Sequence, residues 1–347
     1  MFSNVKILDC TLRDGGLGLE DAYKNGISDT RFELDDYYKL IEHLRDSKAD
    51  IVELGSIEIT EDDRTGFGIY RDVESISKLI PDNANDGQLF VGLFRGPDTP
   101  VEDIPEWREG LVKGLRVIIR YSELQKSLDF CAALASKGYN VFVQPMLTMR
   151  YTDEELIQII EASNKMKAYA LYFVDSYGYM EQEDVTRLYE FYNKRLDPSI
   201  RIGFHSHNNM NMAYANVKHF MEIADGREII ADSCITGMGQ GAGNLQTEII
   251  SFVLNENGRY DYSEVLNACE IIEKYTDMNA WGYSVTRLLP ALYKSAYKYS
   301  IVMRNKYKLS YAKINQLMQK MTKEMRLRYT PEYLEQLFEM CGVEIGK

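Results

Sequence analysis

Long apolar runs and basic stripes are both missing from this chain of 347 residues. No window holds the ~18 uninterrupted apolar residues of a membrane helix, so a membrane partner is not expected. The N-terminus opens directly on a strand pattern, Val5–Cys10, with no charged-then-apolar leader before it. The five cysteines are odd in number and scattered, with no close pair. Reduced thiols and a cytoplasmic location are the expectation. The formal net charge is −13, and no Lys/Arg stripe precedes the C-terminal helices. That argues against a nucleic-acid partner, which would need a basic face. Low-complexity stretches and repeats of fixed period are absent as well.

Apolar content is ample, at 45% of residues, enough for a large core. Apolar runs of strand length recur at Val5–Cys10, Ile51–Leu54, Leu89–Phe94, Leu115–Ile119, Asn140–Val143, Ala170–Val174, Ile200–His205 and Ile229–Cys234. Helix-period stretches lie between them, including Leu34–Ser47, Glu123–Ser136, Asp153–Lys165, Gln182–Lys194 and Met212–Ile223. Thr152 and the acids after it form a helix start, and Gly138 forms a helix stop. Strands alternating with helices indicate a parallel α/β architecture. Eight strands are the number that closes a (β/α)₈ TIM barrel, with an open doubly wound sheet as the competitor. From about Tyr260 the pattern is purely helical. Val265, Leu266, Cys269 and Ile272 mark one apolar stripe, and Ile314, Leu317, Met318 and Met321 another. The expected organisation is a barrel over residues 1–258 and an all-helical C-terminal region over 259–347.

Histidine is scarce: the chain has four, and two of them are His205 and His207. At the end of a strand, positions i and i+2 face the same side, so both imidazoles can reach one ion. Two imidazoles on one face are costly to bury without an ion, and Asn208-Asn209 follow them. Far away, the first strand runs into Asp9-Cys-Thr-Leu-Arg13-Asp14-Gly15-Gly16. Asp14 and Arg13 thus fall at the strand end where barrels carry chemistry, as metal ligand and anion clamp respectively or as a surface ion pair. Asp14 with two imidazoles is a mixed N/O set suited to Lewis-acid work by Mn²⁺, Zn²⁺ or Mg²⁺. No cysteine joins it in sequence, which argues against a closed structural zinc site.

The eighth strand ends in Gly237-Met-Gly239-Gln-Gly241-Ala-Gly243-Asn244. It fits a dinucleotide fingerprint out of its usual context, a flexible turn, or a backbone nest for an anionic substrate involving Gly239 and Gly241. Arg95, Arg120 and Gln144 end the third, fourth and fifth strands. The arginines either clamp an anionic substrate or pair with neighbouring carboxylates. Glu53 and Asp175 end strands two and six as supporting acids or packing partners. His43 and His219 lie on helix patterns and are expected to be solvated.

Leu8-Asp-Cys-Thr-Leu-Arg-Asp-Gly15 resembles the opening motif of the DRE-TIM metallolyases. His205-Ser-His207-Asn resembles that family's metal pair, and Gly237–Asn244 is most similar to the loop of its 4-hydroxy-2-oxovalerate aldolase branch. These three motifs span most of the first ~255 residues and favour the barrel. The resemblance implies a divalent metal, Mn²⁺ first and Mg²⁺, Co²⁺ or Zn²⁺ as alternatives. Asp14, His205 and His207 would hold it, with Asn244 as ligand or neighbour. It implies that Arg13 stabilises the enolate of pyruvate or a similar 2-oxo acid, that Glu53 belongs to the polar shell, and that Tyr283 matches an active-site tyrosine. The implied reaction is aldolase-type cleavage of a 4-hydroxy-2-oxo acid. The rivals are a Claisen-type acyltransferase using acyl-CoA and a metal-binding scaffold without turnover.

Departures from the pattern sharpen this. Where the aldolases carry a histidine base, this chain has Leu17, which leaves Tyr283, or else Glu20, Asp21, Tyr23 or a metal-bound water, for that role. The lyase branch's cysteine is absent from the glycine loop, where Gln240 and Gly241 stand. Gly16-Leu17 replaces the synthase branch's Glu-Gln. Both absences count against acyl-CoA chemistry. The C-terminal helices imply either homodimerisation, barrel capping, or docking of an aldehyde dehydrogenase, as in the aldolase branch.

Overall fold

A computed structural model of the chain describes residues 2–224, 226–277 and 280–343. The strands are β1 (Val5–Asp9), β2 (Ile51–Ile57), β3 (Ile69–Tyr70), β4 (Leu89–Phe94), β5 (Gly114–Ile119), β6 (Asn140–Pro145), β7 (Ala170–Asp175), β8 (Arg201–Ser206) and β9 (Ile229–Ser233). They run parallel in the order β1-β9-β8-β7-β6-β5-β4-β2, with β3 outside β2. A further pairing of β1 with β2 sets Leu8 beside Ile51 and closes the cylinder. The expected TIM barrel is therefore the observed fold, and the open sheet is ruled out.

Strand β2 runs past its expected end at Leu54. A register shift against β4 between Glu53 and Ser56 accommodates Gly55, whose φ of 151° suits glycine alone. The extra length pairs with β3, which is too short at two residues to leave a periodic signal.

Two apolar layers follow from strand alternation. One face of the strands packs outward under the helices, including Leu34–Asp46, Leu124–Ser136, Asp153–Met166, Gln182–Asn193 and Ala213–Ile223. The helix Asp153–Met166 starts on a complete capping box between Thr152 and Glu155. The other face fills the barrel with Leu8, Ile51, Val91, Phe142, Ala170, Tyr172 and Ile230. A Cβ on Gly203 would sit 2.3 Å from the Tyr172 ring, so that glycine makes room for the largest interior side chain of the layer. Above these residues the interior turns polar.

The helix Tyr262–Ile272 lays Val265, Ala268, Ile271 and Ile272 into the outer barrel core. Leu266, expected on that face, is instead 46% exposed, one helical step away from the buried stripe. A separate core begins at Leu289 and gathers Tyr299, Met303, Ile314, Leu317, Met318 and Phe338. This second cluster reaches the strand C-termini through several bonds. Tyr177 Oη donates to Leu327 O (3.3 Å), Asn209 Nδ2 to Arg287 O (3.0 Å), and Gly282 N to Gly241 O (3.1 Å). No helix among the described residues is long and apolar enough to cross a membrane.

Candidate active site

Strand β1 does not simply end. It passes into a π-helical turn, Thr11–Gly15, and on into the helix Gly16–Lys24. Such turns are rare and often mark functional sites. Here the turn buries Arg13 and Asp14 side by side, at 5% and 1% exposure. Arg13 Nη1 donates to Asp14 Oδ1, and Arg13 Nε donates to Glu53 Oε2 at 2.7 Å. Glu53 Oε2 also accepts from Arg116 Nη1 at 2.7 Å. Arg116 Nη2 donates to Asp232 Oδ2, and the same oxygen meets His205 Nδ1 at 2.9 Å. The result is a continuous buried chain, Asp14–Arg13–Glu53–Arg116–Asp232–His205, spanning the barrel.

This chain orients the histidine. With Nδ1 held by Asp232, Nε2 is the nitrogen that His205 could offer to an ion. The ring centroids of His205 and His207 lie 5.0 Å apart. Ligand atoms of Asp14, His205 and His207 all lie within 4.8 Å of one another, close enough to hold one metal ion. Asn244 Nδ2 donates to Asp14 Oδ2, while Asn244 Oδ1 is buried without a partner. A Cβ on Gly239 would lie 2.2 Å from Asn244 Nδ2 and 2.5 Å from Asp14 Oδ2, so only glycine fits against them. Two imidazoles, a carboxylate and an unpartnered amide oxygen make a donor set that fits a divalent cation. A second grouping, Cys10, His205 and Asp232, shares the histidine. Its carboxylate is already bound to Arg116, and Cys10 Sγ lies 3.3 Å from Cys234 Sγ.

Charge follows the same geometry. Burial alone would raise Asp14, but the adjacent guanidinium and then the two imidazoles hold it well below the usual carboxylate range. Burial opposes a charge on His205, yet the Asp232 carboxylate and then Cys10 push it up to about 10. Burial and the neighbouring His205 push His207 down to about 4, because two adjacent cations repel.

Two cavities open here. The inner one, about 150 Å³, is lined by Arg13, Asp14, Gln144, His205, His207, Gly241 and Tyr297. The outer one, about 900 Å³, is lined among others by Leu17, Arg95, Arg120, Arg150 and Leu327. They share Arg13, Ile118, Met146, Leu147 and Gln240.

The expected metal set and Arg13 are thus brought together, with Glu53 beneath them and Gln144 in the inner wall. Gln144 turns its amide oxygen to Arg116, at 2.6 Å from Nε. Arg95 and Arg120 reach only the outer cavity and are ion-paired there: Arg95 with Glu20 and Glu58, Arg120 with Asp98 and Glu123. Tyr283 does not arrive. It is 47% exposed and lines neither cavity. Tyr177 and Tyr297 line the inner cavity instead, and Tyr297 Oη donates to Asp21 Oδ2 at 3.1 Å. Burial and then the Asp21 carboxylate push its pKa well up. Glu20 is held by Lys24, Arg64 and Arg95. Tyr23 is 44% exposed. Asp175 caps the loop after β7, accepting from the amides of Tyr179 and Met180. His43 and His219 are half-buried rather than solvated, bonded to Glu264 and Thr186. Arg116, Asp232 and Tyr297 are the members that the sequence reading missed.

A family model described as HMGL-like matches residues 109–276. The 4-hydroxy-2-oxovalerate aldolase of Thermomicrobium roseum is 28% identical over 279 residues, covering 77% of this chain and 72% of that protein. The resemblance to the DRE-TIM metallolyases holds. The oxaloacetate decarboxylase of Mycobacterium tuberculosis is 25% identical over 255 residues, covering 73% of this chain and 70% of that protein. Among solved structures, the N-terminal domain of a candidate aldolase from Bacteroides vulgatus superposes with a TM-score of 0.72 at 24% identity, over 90% of this chain and 99% of that one. At that identity it supports the barrel rather than an activity.

Proposed function

We propose that this chain is a divalent-metal-dependent carbon–carbon lyase of aldolase type, cleaving a 4-hydroxy-2-oxo acid to an aldehyde and pyruvate or a similar 2-oxo acid. The observation that carries this reading is the convergence of Asp14, His205 and His207 beside Arg13 in one inner cavity. A bound dication would supply Lewis-acid stabilisation of negative charge on the substrate's oxygens. Manganese is the first candidate for this mixed N/O set.

The chain's own groups do the rest. Arg13 has Nε and Nη1 held by Glu53 and Asp14, which leaves Nη2 for the substrate. A guanidinium fixed in that way meets the developing enolate oxygen without reorganising. Cleavage breaks the C3–C4 bond. Its electron pair stays on the three-carbon fragment, and the C4 hydroxyl loses a proton as the aldehyde forms. Leu17 cannot take that proton. Tyr297 can accept it at Oη while passing its own proton to Asp21, to which it already donates. The reverse relay returns a proton to C3 and completes the 2-oxo acid.

Two assays test the reading. In D₂O with Mn²⁺, the methyl protons of pyruvate should exchange for deuterium, read by NMR. Pyruvate should also be released from a panel of 4-hydroxy-2-oxo acids. Asp14→Ala should lose bound metal and exchange together, and Arg13→Met should slow exchange by about 10²–10³-fold. Full exchange in Asp14→Ala would refute the metal role.

Oxaloacetate decarboxylation is a second reading. It forms the same enolate by losing CO₂ and needs no base at C4, which suits Leu17. Faster turnover of oxaloacetate than of every 4-hydroxy-2-oxo acid would select it.

A further inference from the structure

The outer cavity has no task in the cleavage step itself, and its size is out of proportion to a small aldehyde. Its volume of about 900 Å³ is several times the inner cavity's 150 Å³. The inner cavity, at about 150 Å³, has room for the three-carbon fragment and little more. The five shared lining residues make the outer cavity the continuation of the space where C4 must lie.

The walls say what it would hold. Leu17, Ile57, Ile118, Met146, Leu147 and Leu327 form an apolar lining. Arg95 and Arg120 add little free charge, since each is paired with two carboxylates. The strip supplied by the C-terminal region differs. Arg150 Nη2 donates to Arg326 O at 2.6 Å, which anchors Arg150 against that strip. Its Nη1 is buried without a hydrogen-bond partner. Arg328 lines the same strip and pairs with no carboxylate among the described residues. Glu324 is the one acid that the C-terminal region adds to the lining, beside Arg328 and the neighbouring Arg150, while Glu58 and Asp98 elsewhere in the lining are paired with Arg95 and Arg120.

We infer that the aldehyde half of the substrate is a long chain, with an apolar middle along Leu17, Ile118 and Leu327 and an anionic end at Arg150 and Arg328. This inference rests on the aldolase reading and names its substrate class. Leu17 then has a positive role: at the first turn of its helix it supplies wall rather than a proton acceptor. Atoms balance as in the simple cleavage, since the C3–C4 bond breaks and the released aldehyde carries the anionic tail unchanged.

The test uses the full chain loaded with Mn²⁺ and three aldehydes: acetaldehyde, hexanal and 6-oxohexanoate. Condensation with pyruvate gives kcat/KM, and calorimetry gives binding of each aldehyde alone. Each buried methylene is worth about fourfold in affinity. 6-Oxohexanoate should exceed acetaldehyde by at least about tenfold in both readouts and should exceed hexanal as well. Arg328→Gln, at an exposed position, should lower the ratio of 6-oxohexanoate to hexanal. Arg150→Gln should do the same. Equal or better use of acetaldehyde, or a ratio unmoved in both variants, overturns the inference. Deuterium exchange into pyruvate needs no aldehyde, so failure of exchange marks failure of the aldolase reading. Binding of 6-oxohexanoate no tighter than acetaldehyde overturns the cavity assignment whether or not exchange occurs.

Discussion

Strand β5 and the residue after it carry two arginines four positions apart, on the same face of the strand, with opposite surroundings. Arg116 is fully buried and bonded to Glu53 and Asp232. Arg120 sits at the rim, its side chain 29% exposed and paired with Asp98 and Glu123. One guanidinium links the acids that hold Arg13 and His205. The other lines the outer cavity. Position along one strand therefore separates a residue that braces the inner cavity's Arg13 and His205 from one that lines the outer cavity.

The largest effect should come from breaking the inner arginine. Arg116→Met would leave Glu53 and Asp232 as buried carboxylates without their shared cation. Removing one partner of such a pair costs about 3–5 kcal/mol, because the remaining charge is uncompensated. Urea unfolding should show it. A variant that also carries Glu53→Gln and Asp232→Asn should recover much of the loss. A cost below about 1 kcal/mol for the single change would mean that the network is not coupled as drawn.

A second contrast concerns carboxylates rather than cations. Asp232 and Asp175 are almost equally buried, at 1% and 3% exposure. Burial would raise both, but Arg116 and then His205 hold Asp232 below its ordinary range. Asp175 has no cation partner among the described residues and is pushed up to about 7, burial being the dominant cause and its backbone hydrogen bonds opposing it. The folded state therefore binds the Asp175 proton more tightly than the unfolded chain does. Its contribution is fully favourable below about pH 4 and is lost as pH rises towards 7. The swing is on the order of 3–4 kcal/mol. Unfolding free energies at pH 4 and pH 7 should differ less in Asp175→Asn than in the parent chain. Identical pH slopes would remove Asp175 as the source.

Asp232 bonds both Arg116 and His205, so it should matter for metal binding as well as for folding. Asp232→Asn keeps the shape but weakens the hold on His205 Nδ1. Losing such a supporting partner costs about 10–100-fold in metal affinity, or about 1.4–2.8 kcal/mol. A Mn²⁺ titration by calorimetry reads this directly, and unchanged affinity would detach Asp232 from the site.

These residues also show what sequence could and could not convey. The barrel was legible because strand and helix periods alternate eight times. The grouping of Asp14, His205 and His207 that could hold a metal was legible because the two histidines are two apart on one strand, and because Arg13-Asp14 sits at a strand end. Arg116 was not. Within Leu115-Arg-Val-Ile-Ile119 one cation reads as an interruption of an apolar strand, and its partners lie 63 and 116 residues away. Asp232 is hidden in the same way among Ile229, Ile230 and Ala231. Tyr297 comes from a purely helical stretch with no motif. Packing of the C-terminal region over the barrel brings it to Asp21, whereas Tyr283, the tyrosine that the family resemblance implied, stays exposed.

The smallest effect should be at the rim, and it is the control for the largest. Arg120 shares solvent with Asp98 and Glu123, whose side chains are 51% and 32% exposed. Exposed pairs are worth about 0–1 kcal/mol, since water and salt screen them and holding long side chains costs entropy. Arg120→Gln should therefore shift the urea midpoint only slightly, and less at high salt. A double-mutant cycle with Asp98→Asn should give coupling below about 1 kcal/mol. If Arg120→Gln cost as much as Arg116→Met, burial would not be what distinguishes the two arginines, and the inner network would lose its claim to rigidity. If instead the two costs differ as expected, the same residue type on the same strand face measures the step in dielectric between the barrel interior and its mouth.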